Sequence, residues 1–135
     1  MMPYRPALVS GTLSAALAVV LGAFGAHALK EVLSPESLNT FETGVRYQIY
    51  HSFALLTVGL LYAFWPVKAL RMATILFIVG IVLFSGSIYL LVFLKNAGVG
   101  LGPVGILTPI GGLFFIAGWL AMALSCRSQT LPSNR

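Results

Sequence analysis

Four long apolar runs divide the chain, at about 7–29, 46–65, 70–94 and 108–125, with short polar stretches between them. About 20 apolar residues in helical geometry cross a bilayer core. The pattern predicts an all-α membrane protein: a four-helix transmembrane bundle formed as one domain over residues 1–135. A short amphipathic helix at the interface is predicted between the first and second spans.

The runs carry internal detail. The first, Ala7–Leu29, has Arg5 before it and Ala26-His27-Ala28 near its end, a small-x-small pattern like a secretion cleavage site. It exceeds the 7–15 apolar residues of a signal core, so a retained span is expected. Gly11, Ala15, Ala18, Gly22 and Ala26 recur on one helical face, the kind of stripe that lets a neighbouring helix approach closely in lipid. In the polar segment from Lys30 to Gly44, Ser34-Pro35-Glu36 reads as a helix start: a capping hydroxyl, a proline at the first position and an acid in the first turn. Leu38, Phe41 and Val45 then share a face, and Glu42 and Arg46 stand four apart in the order favoured for an ion pair. The interfacial helix is expected to bend near Gly44 into the second span. Trp65-Pro66-Val67-Lys68 forms the next turn. Ala73, Gly80 and Ser87 give the third span a small face at seven-residue spacing. Gly98, Gly100, Gly102, Gly105 and Pro103 make Ala97–Leu107 either a flexible interfacial loop or a re-entrant one buried in protein. Thr108-Pro109 is read as the cap and start of the fourth span, with Gly111, Gly118, Ala121 and Ser125 as its small face and no special part for Trp119. Arg127–Arg135 is read as a disordered polar tail.

Composition agrees with lipid as the solvent. The 135 residues are 59% hydrophobic and 8% charged, against about 25% charged in a soluble domain, and the mean hydropathy is +0.96. The net charge of +5 comes from eight basic and three acidic residues. The basic residues are scattered singly, which excludes a nucleic-acid surface and fits topology signals and contact with lipid headgroups. With four spans, Arg5, Lys68, Arg71, Arg127 and Arg135 share one side, and Lys30, Arg46 and Lys95 the other. Five against three places both termini in the cytoplasm. Membrane lipids are the expected partners, with a second copy or a larger membrane complex as further ones. The single cysteine, Cys126, allows no disulfide within the chain.

Polar side chains concentrate in the outward half of the spans: His27, Arg46, Tyr47, Gln48, Tyr50, His51, Ser85, Ser87, Tyr89 and Thr108, with Glu42 just outside. Intramembrane polar groups usually face the interior and pair with one another. His27, Glu42, Arg46, Tyr47 and His51 are therefore expected as one connected cluster. The two histidines would act as a hydrogen-bonded clamp between the first two spans or as a pH-responsive pair. Tyr47 and Tyr50 also fit an aromatic belt at the headgroups. No carboxylate or cysteine completes a metal site with the histidines, and no nucleophile–base pair or phosphate loop is present. No metal, cofactor or enzymatic activity is expected.

Four blocks carry a resemblance: Gly22-Ala23-Phe24-Gly25-Ala26-His27-Ala28-Leu29; Phe41-Glu42-Thr43-Gly44-Val45-Arg46-Tyr47-Gln48-Ile49-Tyr50-His51; Phe84-Ser85-Gly86-Ser87-Ile88-Tyr89; and Thr108-Pro109-Ile110-Gly111-Gly112 with Trp119. In this order they resemble the domain of unknown function 423 family, the YgdD-like small bacterial inner-membrane proteins, whose eukaryotic relative is transmembrane protein 256. The resemblance covers nearly the whole chain. It implies four helices and an inner-membrane location and brings no reaction with it. Two readings of function follow: a small membrane module that binds or stabilises a partner complex or lipid, and an oligomeric carrier or channel-like module for protons or a small solute. Confinement of the polar groups to one half favours the first.

Overall fold

A computed structural model describes residues 2–127, and all their regular structure is helical. Of the tail expected over Arg127–Arg135, Arg127 instead ends the last helix, and residues 128–135, with the charge at position 135, lie outside the described residues.

Helix α1 (Arg5–Ala26) begins with a proline in its first turn and stops at His27, whose φ of −117° and ψ of −80° leave the helical region. The first run therefore ends as a helix at Ala26. Leu29 belongs instead to a separate short helix, α2 (Ala28–Val32). Helix α3 (Pro35–Phe64) starts as its sequence predicts: the Ser37 backbone N–H donates to Ser34 Oγ at 3.2 Å, and Pro35 occupies the first position. Such a cap contributes about 1 kcal/mol.

No break occurs at Gly44: the amphipathic stretch is the first part of an unbroken 30-residue helix. Gly44 serves packing. A Cβ there would lie 2.8 Å from Tyr89 Cε1 and 3.1 Å from Ile88 Cγ2. The close approach lets its carbonyl accept the Ser85 hydroxyl at 2.8 Å.

Helix α4 (Lys68–Ile81), one π-helical turn (Val82–Gly86) and α5 (Ser87–Asn96) form a continuous rod. Residues 97–103 turn the chain, with Gly98 and Gly102 at φ of +69° and +51°, where a side chain would be strained. Helix α6 (Val104–Arg127) follows. The connection is thus shorter than the glycine spacing suggests: Gly105, Ile106 and Leu107 are already helical, and Thr108 is not a cap. Pro109 lies inside α6. In its second turn the proline forfeits a single ladder bond, the one to the residue 105 carbonyl.

Helix α1 runs antiparallel to α3. The Tyr4 N–H donates to the Gly59 carbonyl at 3.0 Å, Gly11 meets Ser52 and Leu56, Gly22 meets Val45, and Gly25 meets Phe41. The buried stripe is Ala7, Gly11, Ala18 and Gly25; Ala26, expected to end it, is exposed. Helix α6 runs antiparallel to α4 and meshes with it reciprocally. Gly80 faces the Phe115 ring and Gly118 faces the Phe77 ring, so closely that a Cβ added at each would fall 2.5 Å and 2.7 Å from those rings. Further along, Gly111 lies against the backbone of Leu83 and Phe84 in the π turn. Helix α3 fills the middle, touching α1 on one side and the α4–α5 rod on the other.

Three helices, Arg5–Ala26, Lys68–Asn96 and Val104–Cys126, are long and apolar enough to cross a membrane. Their outward faces carry Leu13, Val19, Ile75, Leu113 and Leu120, all exposed. Helix α3, at 30 residues, is roughly 45 Å long.

The glycine contacts predict unequal effects of one added methyl group. Gly80→Ala pushes on Phe115 and should destabilise by about 1–3 kcal/mol. Gly105→Ala, with nothing within 4 Å, should be neutral or stabilise by about 0.5 kcal/mol. Thermal unfolding of the two variants in one detergent checks this, and equal effects would count against the packing.

Candidate functional site

Gln48, Ser52 and His51, buried polar side chains of α3, form two junctions, one on each side of that helix. The first centres on Gln48, which is 2% exposed. Its Nε2 donates to the Ser14 carbonyl of α1 at 3.0 Å, and its Oε1 accepts from the Tyr89 hydroxyl of α5 at 2.7 Å. One turn on, the Ser52 hydroxyl lies 2.8 Å from Ser14 Oγ and 2.7 Å from the Gln48 carbonyl. An amide suits this position because it donates at one atom and accepts at the other, so a single side chain ties three helices.

The second junction centres on His51, also buried. Its Nδ1 lies 2.7 Å from the Tyr47 carbonyl, which can only accept, so Nδ1 carries the hydrogen. Its Nε2 lies 3.2 Å from the Trp119 indole nitrogen, which can only donate, so Nε2 accepts. The two partners together assign the Nδ1–H tautomer. The imidazole stacks flat on Phe115, centroids 3.4 Å apart and planes 4° from parallel. Tyr47 stacks on Phe84 at 4.6 Å. Helices α5 and α6 are tied by their side-chain hydroxyls Ser87 Oγ and Thr108 Oγ1, 2.6 Å apart.

Each junction floors a groove. Between α1 and the α4–α5 rod lies one of about 520 Å³, walled by Leu13, Leu17, Leu21, Ile78 and Val82, with Gln48 and Tyr89 at its floor. Between α3 and α6 lies one of about 450 Å³, bounded by Tyr47, His51, Phe84, Phe115 and Trp119. The π turn borders both, presenting Val82 and Gly86 to the first and Phe84 to the second.

The expected five-residue cluster is divided. His27 is exposed at the end of α1, beside Ala23, Phe24 and Ala28. It shares no partner with His51, whose ring points at α6. Histidine therefore clamps α3 to α6 rather than α1 to α3; glutamine makes the α1–α3 tie. Glu42 and Arg46 line a shallow groove of about 230 Å³ with Gly22, Gly25, Phe41 and Val45, but the expected ion pair between them is not formed. Arg46 Nη2 instead donates one turn back to Thr43 Oγ1 at 3.2 Å. An exposed pair gains only about 0.2–1 kcal/mol, so little holds those two solvated groups together. The ion pair among the described residues is Lys95 with Glu36, 3.3 Å apart, linking the end of α5 to the start of α3. Tyr50 is exposed. Of the other predicted residues, Gln48, Ser85, Ser87, Tyr89 and Thr108 all make contacts between helices.

Trp119, Phe115 and Phe84 are absent from the predicted site residues, although Phe84 and Trp119 stand in the blocks that carry the resemblance. Their signal is faint: Phe115 and Trp119 stand four apart on one face of α6, an ordinary spacing for core aromatics.

The Gln48–Tyr89 bond should be measurable. In a double-mutant cycle of Gln48→Leu and Tyr89→Phe, the coupling should be about 0.6 kcal/mol and at most about 1.7, the range of hydrogen bonds between membrane helices. Unfolding free energies of the parent, both single variants and the double variant give it directly; a coupling of zero would remove the clamp.

Comparison with known proteins places the chain. The family model described as "Protein of unknown function (DUF423)" matches residues 21–112. A UPF0382 membrane protein of Staphylococcus saprophyticus is 38% identical over 117 residues, covering 87% of this chain and 92% of the relative. One from Haemophilus influenzae is 38% identical over 120 residues, covering 88% and 92%. The UPF0382 membrane protein YwdK of Bacillus subtilis is 36% identical over 119 residues, covering 87% and 93%. No solved structure matches. The family model covers α3, the α4–α5 rod and the start of α6, leaving Ser14, Phe115 and Trp119 of the two junctions outside its match, and the relatives run along most of the chain; the chain belongs to the DUF423 family, whose relatives here bear the name of membrane proteins.

Proposed function

We propose that the chain is a four-span protein of the bacterial inner membrane, with both termini cytoplasmic, that works by binding lipid or a membrane partner rather than by catalysis or transport. Helix α3 supplies the fourth span. It lies antiparallel between α1 and the α4–α5 rod, so it crosses where they cross. Its Gln48, His51 and Ser52 are buried, which suits a helix whose neighbours shield its polarity. The orientation rests on charge. Arg5, Lys68, Arg71 and Arg127 gather where α1 and α4 begin and α6 ends. The opposite end holds Lys30, Arg46 and Lys95 together with all three acids, Glu31, Glu36 and Glu42. Origin of the relatives in bacteria supports the membrane assigned.

One observation carries the binding reading: the polar groups are already bonded between helices, while the two grooves beside them remain open. Below the Gln48 and His51 junctions the interior is Ala54, Leu55, Val58, Leu70, Ala73 and Phe77, and the buried hydroxyl there, Thr74, is bonded to the Leu70 carbonyl of its own helix, so the described residues offer no continuous polar path through one copy. A scaffold of this kind offers fixed apolar clefts to acyl chains or to another helix.

Two measurements test the proposal. A periplasm-active phosphatase fused after Arg127 should be inactive, and one inserted in residues 97–103 should be active; the reverse result overturns the orientation. Proteoliposomes holding the protein and an imposed pH gradient should lose it no faster than empty liposomes. A leak abolished by His51→Gln or Gln48→Leu would replace the binding reading with the carrier one.

A further inference from the structure

The larger groove, between α1 and the α4–α5 rod, points toward a cation at its basic end. Arg71 and Ile78 stand seven residues apart on one face of α4, so their Cα atoms are about 10 Å apart along the rod, with Arg71 toward the end where α1 and α4 begin. Arg71 Nε donates to the Tyr62 hydroxyl at 3.0 Å. Its guanidinium carbon sits 5.6 Å from the Tyr62 ring centroid and 5.9 Å from that of Tyr4. These two rings, themselves 5.0 Å apart, hold a planar cation at the level where α1 and α4 begin. Its two terminal nitrogens have no protein partner among the described residues, and the side chain is exposed. Glu31, Glu36 and Glu42 belong to the opposite end, so no acidic side chain among the described residues neutralises it. Arg5 and Lys68, exposed at the same level, add to the charge.

We infer that this is a built site for one anionic phospholipid: an acyl chain lies in the groove along Leu13, Leu17 and Val82, and the phosphate accepts hydrogen bonds from the Arg71 guanidinium. The chemistry of both parts fits. The groove walls are apolar along more than two turns of α1, from Ser10 to Leu21, a length suited to an extended acyl tail. The guanidinium fork matches two phosphate oxygens, and its anchoring by Tyr4 and Tyr62 removes the freedom that binding would otherwise have to restrain. Arg71 is the fourth residue of a 29-residue rod, which places it near the boundary of a hydrocarbon core about 30 Å thick, at headgroup level. The inference deepens the binding reading by naming the ligand class of one groove.

The test uses the full chain, delipidated in mild detergent and offered three probes with identical dioleoyl tails: phosphatidylglycerol, phosphatidylcholine and dioleoylglycerol, which lacks phosphate. Native mass spectrometry counts the molecules retained. The parent should retain phosphatidylglycerol about tenfold over dioleoylglycerol, the scale of one charge-assisted hydrogen bond, with phosphatidylcholine between. Arg71→Gln should erase that preference and leave dioleoylglycerol retention unchanged. Leu13→Trp with Leu17→Trp, which fills the groove from two outward-facing positions, should lower retention of all three. Undiminished phosphatidylglycerol preference in Arg71→Gln, or unchanged retention in the tryptophan variant, would mean ordinary boundary lipid and overturn the inference. Should Arg71→Gln fail to accumulate, the tryptophan variant still decides it. A proton leak in the liposome assay would remove the binding reading and leave these lipid counts as they stand.

Discussion

Close approach of backbones across glycine is the constraint on which this structure depends. In lipid, apolar side chains gain nothing by leaving the solvent, so helices associate through dispersion contacts and hydrogen bonds. Both are short-ranged. Phe77 over Gly118 and Phe115 over Gly80 bring α4 and α6 near enough for each ring to contact the facing backbone. Gly111 does the same at the π turn, and Gly44 does it between α3 and α5. The hydrogen bonds follow from this geometry. Ser85 reaches the Gly44 carbonyl, and Ser87 reaches Thr108, because the glycines leave no side chain in the way.

Placement of α3 in the middle then determines what the polar residues do. Two faces of one helix carry two kinds of polar group. Gln48 and Ser52 turn to α1 and α5; Tyr47 and His51 turn to α6. A polar side chain with donors and acceptors both satisfied adds specificity to a contact that apolar packing alone leaves free to slide. The grooves lie on the two sides of α3, so each has polar groups of that helix in its lining and apolar walls.

Much of this was legible in the residues. Ser34-Pro35-Glu36 marked a helix start to the residue, because capping is a local interaction between neighbours. Of the small-residue stripes, Ala73, Gly80 and Ser87, and Gly111, Gly118 and Ser125, fall on buried positions, whereas the first stripe ends in the exposed Ala26. Partners were not legible. His51 could be placed near the start of its apolar run, but the identity of the indole opposite it depends on how α6 rotates, which is a property of all the helices together. The Glu42–Arg46 spacing suggested an ion pair, and two solvated ends gave it no reason to hold. Gly44 suggested a bend, since glycine weakens a helix, yet here its missing side chain is used by Tyr89 from the next helix. The start of α6 was misplaced for a similar reason: proline usually opens a helix, and Pro109 sits late enough in the first turns to cost a single bond.

The π turn has a mechanical consequence. It inserts an offset in phase between α4 and α5, so the lower part of the rod aims its small face at α6 while the upper part aims Tyr89 at α3. A uniform helix in a membrane can roll about its own axis, trading one set of neighbours for another at little cost. This rod cannot, because a roll that eased contacts below the offset would break those above it. It behaves like a key cut on two sides, and the clefts flanking it keep a fixed azimuth whatever slides past them in the bilayer.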